Sequence, residues 1–113
     1  MWNDLTPWAT PETGECPVAD TLRAIGGKHK PRILHCLLMS DLHFLELTRA
    51  MAPISRKVLT QQLRDPQSTG LISRAETHEA RRRVMHALSD KGRALGDILA
   101  QVYGWAETYK EDA

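Results

Sequence analysis

Apolar side chains recur every three or four residues in five stretches of the chain, a spacing that gives a helix one buried face. Proline in a first turn, serine caps and glycine or proline stops mark where these helices begin and end. The predicted helices cover residues 17–25, 30–39, 44–51, 54–64 and 89–109. Residues 71–76 and 83–88 are predicted to form two short strands.

The fourth of these helices has an unusually clear division between two sides. Ser55 can cap it, because its hydroxyl accepts a hydrogen bond from a backbone N–H of the first turn. Leu59 and Leu63 share one side, and Asp65-Pro66 is predicted to end the helix. The other side carries only cations and polar side chains, which are Arg56, Lys57, Thr60, Gln61 and Arg64.

These outward side chains are of the types that contact DNA. Arginine and glutamine pair with base edges in the major groove, while lysine, arginine, serine and threonine hold phosphates. We interpret the segment as a DNA-recognition helix, with Arg56 and Gln61 on bases and Lys57 and Arg64 on phosphates. An ordinary amphipathic helix with a solvated polar face is the alternative.

The neighbouring elements favour a winged helix-turn-helix. Only a short link joins the third and fourth helices, and a hairpin that follows such a pair forms a wing. The predicted fold class is therefore mainly α with a small β-hairpin wing. Three consecutive arginines, Arg81, Arg82 and Arg83, can reach a flanking phosphate or a minor groove from the wing, although a merely solvated charge run has the same pattern.

The last helix carries an apolar stripe suited to another helix. Its members recur at three- and four-residue steps and are Leu95, Ile98, Leu99, Val102, Trp105 and Tyr109. Gly92, Gly96 and Gly104 each weaken this helix by roughly 1 kcal/mol, so packing must hold it. We expect a dimer, with packing on its own domain as the alternative.

Composition narrows the choice of function. The chain has 113 residues, enough for one domain, and it has neither an apolar run long enough to span a membrane nor a visible signal peptide, so we expect a cytoplasmic protein. Its net charge is only +1, but residues 49–83 carry a net charge of +5. The local field, not the chain total, governs attraction to a phosphate backbone.

Residues 1–15, which include Trp2 and Trp8, are predicted to form an extended arm before a winged-helix domain of residues 16–113. Cys16 stands at a predicted helix start, where the helix dipole can stabilise a thiolate, and is a candidate redox sensor; an inert half-buried residue is the alternative. Cys36 is expected in the core. Because no metal-site spacing and no catalytic signature occurs, we expect no metal, cofactor or catalytic residues.

A set of short motifs occurs in a fixed order over residues 16–111. They are Cys16-Pro17-Val18, Ile25-Gly26-Gly27-Lys28, Ile33-Leu34, Phe44-Leu45-Glu46-Leu47, Ile54-Ser55, Leu59-Thr60-Gln61-Gln62-Leu63-Arg64, Gly70-Leu71-Ile72 and Leu88-Ser89-Asp90-Lys91-Gly92. This set resembles the HxlR-type winged helix-turn-helix transcriptional regulators, relatives of the MarR type. The resemblance implies a DNA-binding dimer held by its N- and C-terminal helices, and a sensing cysteine at Cys16.

The sequence departs from the family pattern in four places. His29 stands where tryptophan is usual, Pro66 where leucine is usual, and His86 where tyrosine is common. Ala80-Arg81 replaces a usual pair of prolines in the wing. We therefore expect a shortened recognition helix and a looser wing tip.

Together, these observations predict a sequence-specific transcriptional regulator, a repressor, that binds a palindromic site in double-stranded DNA as a homodimer. An oxidant, an electrophile or another small molecule would be its effector, with Cys16 as the sensor. A winged-helix module that has lost DNA binding and contacts protein through the same surface is the alternative.

Overall fold

The computed structural model describes residues 16–78 and 82–112, except for the side chains of residues 78, 82 and 112. The predicted arm of residues 1–15 lies outside this part of the chain. The elements follow the order α1 (Pro17–Ile25), α2 (Lys30–Met39), β1 (Leu42–His43), α3 (Phe44–Ala50), α4 (Arg56–Ser68), β2 (Ile72–His78), β3 (Arg82–Leu88) and α5 (Asp90–Tyr109), with a short 3-10 helix at Lys110–Asp112. The predicted class, mainly α with a small hairpin, is confirmed.

The hairpin is one side of a three-stranded antiparallel sheet in the order β1-β3-β2. Its strands pair from Ile72 with Leu88 to His78 with Arg82, so they extend further than predicted. The third strand, β1, places Leu42 opposite His86. Two residues are too few for an alternating pattern to be visible, and this strand was not predicted.

Helix α2 lies at the centre of the core. Its Ile33, Leu34 and Leu37 are fully buried, and residues from the other elements pack around them. These are Ile25, Leu47, Met51, Leu59, Leu63, Leu71, Ile72 and Leu88. None of the helices in residues 16–78 and 82–112 has the length and apolar character needed to span a membrane.

The expectation that Asp65-Pro66 ends α4, and thus shortens it, is wrong. The helix runs to Ser68, and Pro66 lies inside it and is buried. Proline removes one backbone hydrogen bond, but here it falls in the last turn, where its ring gains apolar contacts. Pro66 therefore takes the place of the apolar anchor that leucine would supply.

The end of α4 is closed by its own backbone. The N–H of Leu71 donates to the carbonyl of Pro66 at 2.8 Å, and that of Gly70 donates to Gln67 at 3.1 Å. This pair of hydrogen bonds requires a residue with a positive φ just after the helix, and Gly70 has φ +78. The chain thereby turns directly from α4 into β2, which fixes the wing beside the helix.

The apolar stripe of α5 is divided between two surroundings. Leu95 and Leu99 are half-buried and pack against the protomer's own core. Ile98, Val102, Trp105 and Tyr109 are 55%, 54%, 66% and 49% exposed. On α1, Val18 and Leu22 are exposed as well, and only Ile25 is buried.

Candidate nucleic-acid interface

Two buried leucines fix the orientation of α4. Leu59 and Leu63 point into the core, while the Ser55 hydroxyl accepts a hydrogen bond from the N–H of Val58 at 3.1 Å and caps the first turn. Both features match the sequence prediction. The polar side chains of α4 lie on the side opposite these two leucines, so they must face outward.

The structure places all the predicted α4 contacts on that outward face. Arg56, Lys57, Thr60, Gln61 and Arg64 are exposed, and so is Ser55. In the described part of the chain, none of the three cations is in an ion pair. The face therefore carries uncompensated positive charge, which suits a polyanion, although contact with DNA stays a prediction.

The predicted wing arginines are only partly described. Arg81 lies outside the described residues, and Arg82 is placed by its pairing with His78, without a described side chain. Arg83 is exposed and pairs with Thr77, whose hydroxyl donates to the Arg83 carbonyl at 3.3 Å. The wing thus brings at least Arg83 toward the surface that it shares with α4.

An open groove of about 860 Å³, which we call the wing groove, separates α4 from the wing. Its walls come from α3, α4, β2 and β3, and four exposed arginines line it: Arg49, Arg64, Arg74 and Arg83. Arg49 and Arg74 were counted in the local charge but not predicted as site residues. Arg74 lies in the groove because it pairs with His86 on β3, and this pairing cannot be read from the sequence alone.

The floor of the wing groove contains a buried histidine. His86 is 1% exposed, and its ring lies 6.2 Å from that of Phe44, centroid to centroid. Burial lowers the pKa of His86, and the Arg74 guanidinium lowers it further, while the Val84 backbone opposes them in part. The Nδ1 atom makes no hydrogen bond to any described residue. At neutral pH, this imidazole is therefore neutral and incompletely satisfied.

Acid is expected to destabilise the wild type more than a His86→Phe variant. The pKa of His86 lies below its ordinary value of 6.5, so the unfolded chain binds the proton first. Stability present above pH 6.5 is then lost as the pH falls toward the folded-state pKa, by at most about 1.4 kcal/mol per pH unit. Urea unfolding of both proteins at pH 8, 7, 6 and 5 measures the difference. Parallel curves would contradict this account of His86.

The two cysteines have different surroundings. Cys16 is the N-cap of α1, and its Sγ accepts a hydrogen bond from the N–H of Ala19 at 3.5 Å. Cys36 is half-buried against the core, and burial raises the pKa of its thiol. Among the described residues, no group of three His, Cys, Asp or Glu side chains is arranged to hold a metal ion.

Comparison with known proteins gives consistent matches across most of the chain. The model of the HxlR-like helix-turn-helix family matches residues 24–113. The HTH-type transcriptional regulator YdzF of Bacillus subtilis is 39% identical over 92 residues, which cover 80% of this chain and 84% of YdzF. An HTH-type transcriptional regulator of Methanothermobacter thermautotrophicus is 35% identical over 94 residues and covers 83% of this chain and 72% of its own length.

Solved structures agree with the sequence matches. The redox regulator HypR in its reduced form has a TM-score of 0.76 at 32% identity, covering 83% of this chain and 93% of the HypR chain. Reduced YodB of Bacillus subtilis, a transcriptional regulator, has a TM-score of 0.75 at 26% identity, covering 88% of this chain and 98% of YodB.

Proposed function

The chain belongs to the HxlR-like helix-turn-helix family of transcriptional regulators, and on this premise we propose that it binds operator DNA as a homodimer through the exposed face of α4. The observation that carries this proposal is the charge of that face. Three cations and two polar side chains project from a helix whose other side is anchored in the core. A helix of this kind fits the major groove, which admits one α-helix.

The side chains of this face divide by chemistry. Arg56 and Gln61 contact bases, because their planar groups form paired hydrogen bonds with guanine and adenine respectively. Lys57 and Arg64 hold phosphates, and Ser55, at the start of the helix, lies where backbone N–H groups favour an anion. The wing holds the flanking backbone through Arg81, Arg82 and Arg83.

The homodimer rests on the exposed apolar half of α5. A contiguous stripe is formed by Ile98, Val102, Trp105 and Tyr109. Within it, the ring centroids of Trp105 and Tyr109 lie 5.4 Å apart. A stripe of this kind marks an interaction surface. Leu95 and Leu99 line its edge while packing on their own core. Val18 and Leu22 of α1 are exposed as well, and the family resemblance places this N-terminal helix in the same interface. A dimer about a twofold axis can then set two α4 helices about 34 Å apart, one turn of DNA.

Val102→Glu is expected to weaken the dimer at least about 30-fold, because burying an unpaired carboxylate costs about 2 kcal/mol or more. Light scattering across a dilution series measures the dissociation. Gly104→Glu adds the same charge on the opposite side of α5, at an exposed position where a Cβ meets nothing within 4 Å, and is the matched control. Equal dissociation of the two variants would contradict the assignment of this stripe to the interface.

We further propose that the protein is a repressor and that Cys16 is its oxidant or electrophile sensor. HypR has been solved in reduced and oxidized forms, and YodB after diamide treatment. Cys16 caps α1, the N-terminal helix that the family resemblance places at the dimer interface. A disulfide or adduct at this sulfur would therefore alter the end of a helix at the interface and shift the two α4 helices relative to each other.

The test is a gel shift on the intergenic DNA beside the protein's own gene, with reduced protein, diamide-treated protein and a Cys16→Ser variant. We expect reduced protein to bind, and diamide to change the binding of wild type but not of the variant. Binding that ignores diamide in both would refute the thiol switch and leave DNA binding in place. Absence of binding to any DNA at any salt would favour a protein-interaction module instead.

A further inference from the structure

The wing groove has the composition of a ligand site as well as of a DNA contact. We propose that it binds a small amphipathic organic anion, with a flat apolar body and one acidic group, and that this ligand and operator DNA exclude each other. Binding of the anion rests on the groove alone. Mutual exclusion rests on the proposed function, because it requires that α4 and the wing bind DNA.

The charge of the groove selects an anion. Arg49, Arg64, Arg74 and Arg83 line it, and within the described residues none of them is in an ion pair. Among the described residues that line the groove, Glu46 is the one acid, and its carboxylate already accepts a hydrogen bond from the N–H of His43 at 2.8 Å. A carboxylate, sulfonate or phosphate ester would therefore meet several guanidinium groups, each able to bind it bidentately.

The floor of the groove selects an apolar body. Phe44, Leu63 and Val84 line it, so that an aromatic or otherwise flat skeleton can lie below the arginines. A bare inorganic anion would leave this apolar surface in water. The volume, about 860 Å³, falls within the range of roughly 300–1,000 Å³ that is usual for small-molecule sites, and the open side gives a route of entry.

His86 supplies the independent indication of a missing partner. Its side chain is 99% buried, it lines the groove, and its Nδ1 lacks a hydrogen bond to any described residue. A buried polar atom without a hydrogen bond is destabilising. A hydroxyl or N–H group on the ligand can donate a hydrogen bond to this nitrogen, so the groove favours a ligand with a polar substituent near its apolar part.

The groove and the DNA surface share residues. Thr60 and Arg64 of α4 and Arg83 of the wing belong to both. An anion seated between α4 and β3 would neutralise guanidinium groups that otherwise hold phosphates, and its body would occupy the space between helix and wing. Ligand and DNA must therefore compete.

The probe is 8-anilinonaphthalene-1-sulfonate, whose sulfonate, aromatic body and N–H match the three features of the groove. Its fluorescence is titrated with full-length, DNA-free protein, in parallel with N-phenyl-1-naphthylamine, the same skeleton without the sulfonate. We expect one tight site per chain for the sulfonate and at least tenfold weaker binding of the neutral compound. Comparable binding of both would overturn the selectivity for an anion.

Variants locate the site. Arg74→Met, at an exposed position, is expected to weaken sulfonate binding at least tenfold, and His86→Phe is expected to weaken it independently. Arg32→Met is the matched control, because Arg32 is an exposed arginine beside the apolar groove between α2 and α5. Circular dichroism checks folding. Unchanged binding in Arg74→Met, or a loss in Arg32→Met, would overturn the assignment to the wing groove.

A competition arm tests exclusion. Sulfonate added to the wild-type operator complex is expected to release DNA at concentrations that fill the groove, whereas Arg74→Met should need at least tenfold more. If the same concentration of the sulfonate released DNA from both proteins, or if the sulfonate released no DNA from wild type, the mutual exclusion of ligand and DNA would be overturned. A protein that binds no DNA even without the probe would refute the proposed function, while the direct titration would still decide whether the groove binds the anion.

Discussion

Replacing Arg56 and Gln61 together with alanine is expected to lower affinity for the operator at least about 30-fold, with little change in affinity for unrelated DNA. Each paired hydrogen bond to a base is worth about 1–3 kcal/mol of discrimination, so losing two approaches the whole difference between specific and random sequence. Leu59 and Leu63 still anchor α4, and the two exposed substitutions leave the core intact. Fluorescence anisotropy with both DNAs, at one fixed salt concentration, measures the ratio.

Lys57→Ala is the control for this result. A phosphate contact carries no sequence information, so its loss should weaken binding to both DNAs equally and reduce the steepness of the salt dependence. If the Arg56 and Gln61 variant instead lost affinity for both DNAs in the same proportion, these residues would not contact bases.

Gly92→Ala is expected to destabilise the fold by about 3 kcal/mol or more. A Cβ at Gly92 would overlap the carbonyl oxygen of Leu71 and lie 3.1 Å from its carbonyl carbon. Both atoms belong to the backbone, which cannot move aside as a side chain can, and overpacking of this kind costs about 1–3 kcal/mol or more. The first turn of α5 is also held here, since the Ser89 hydroxyl donates to the carbonyl of Gly70 at 2.6 Å. Urea unfolding measures the loss.

Gly104→Ala serves as the matched control on the same helix. A Cβ at Gly104 meets nothing within 4 Å, so the substitution should stabilise α5 by about 0.5–1 kcal/mol through helix propensity alone. Similar changes in stability for the two variants would contradict the close approach of α5 to the backbone of Leu71.

Local patterns sufficed for most of the elements. At the caps, the hydroxyls of Ser55 and Ser89 each accept a hydrogen bond from a backbone N–H three residues further along the chain. The two sides of α4 follow from helical periodicity. Such features depend on near neighbours in the chain, so the sequence alone contains them. The outward face of α4 was predictable for the same reason.

Features that depend on distant residues were not predictable. The sequence shows that Gly92 weakens a helix, but not that Leu71 lies against it. A rule that proline ends helices failed at Pro66 because burial in the last turn outweighed it. The wing groove needs the register of Arg74 opposite His86 and the packing of α4 beside both, which no local pattern encodes.

The salt dependence of operator binding tests whether the exposed face of α4 holds the phosphate backbone of DNA. If Lys57, Arg64, Arg81, Arg82 and Arg83 of two protomers hold ten phosphates, a plot of log affinity against log salt concentration should fall with a slope of about −9. Anisotropy with the intergenic operator between low and moderate salt measures this slope. A slope near that value that becomes shallower in Lys57→Ala would support the α4 face as the DNA-binding surface. Affinity that does not change with salt would contradict it.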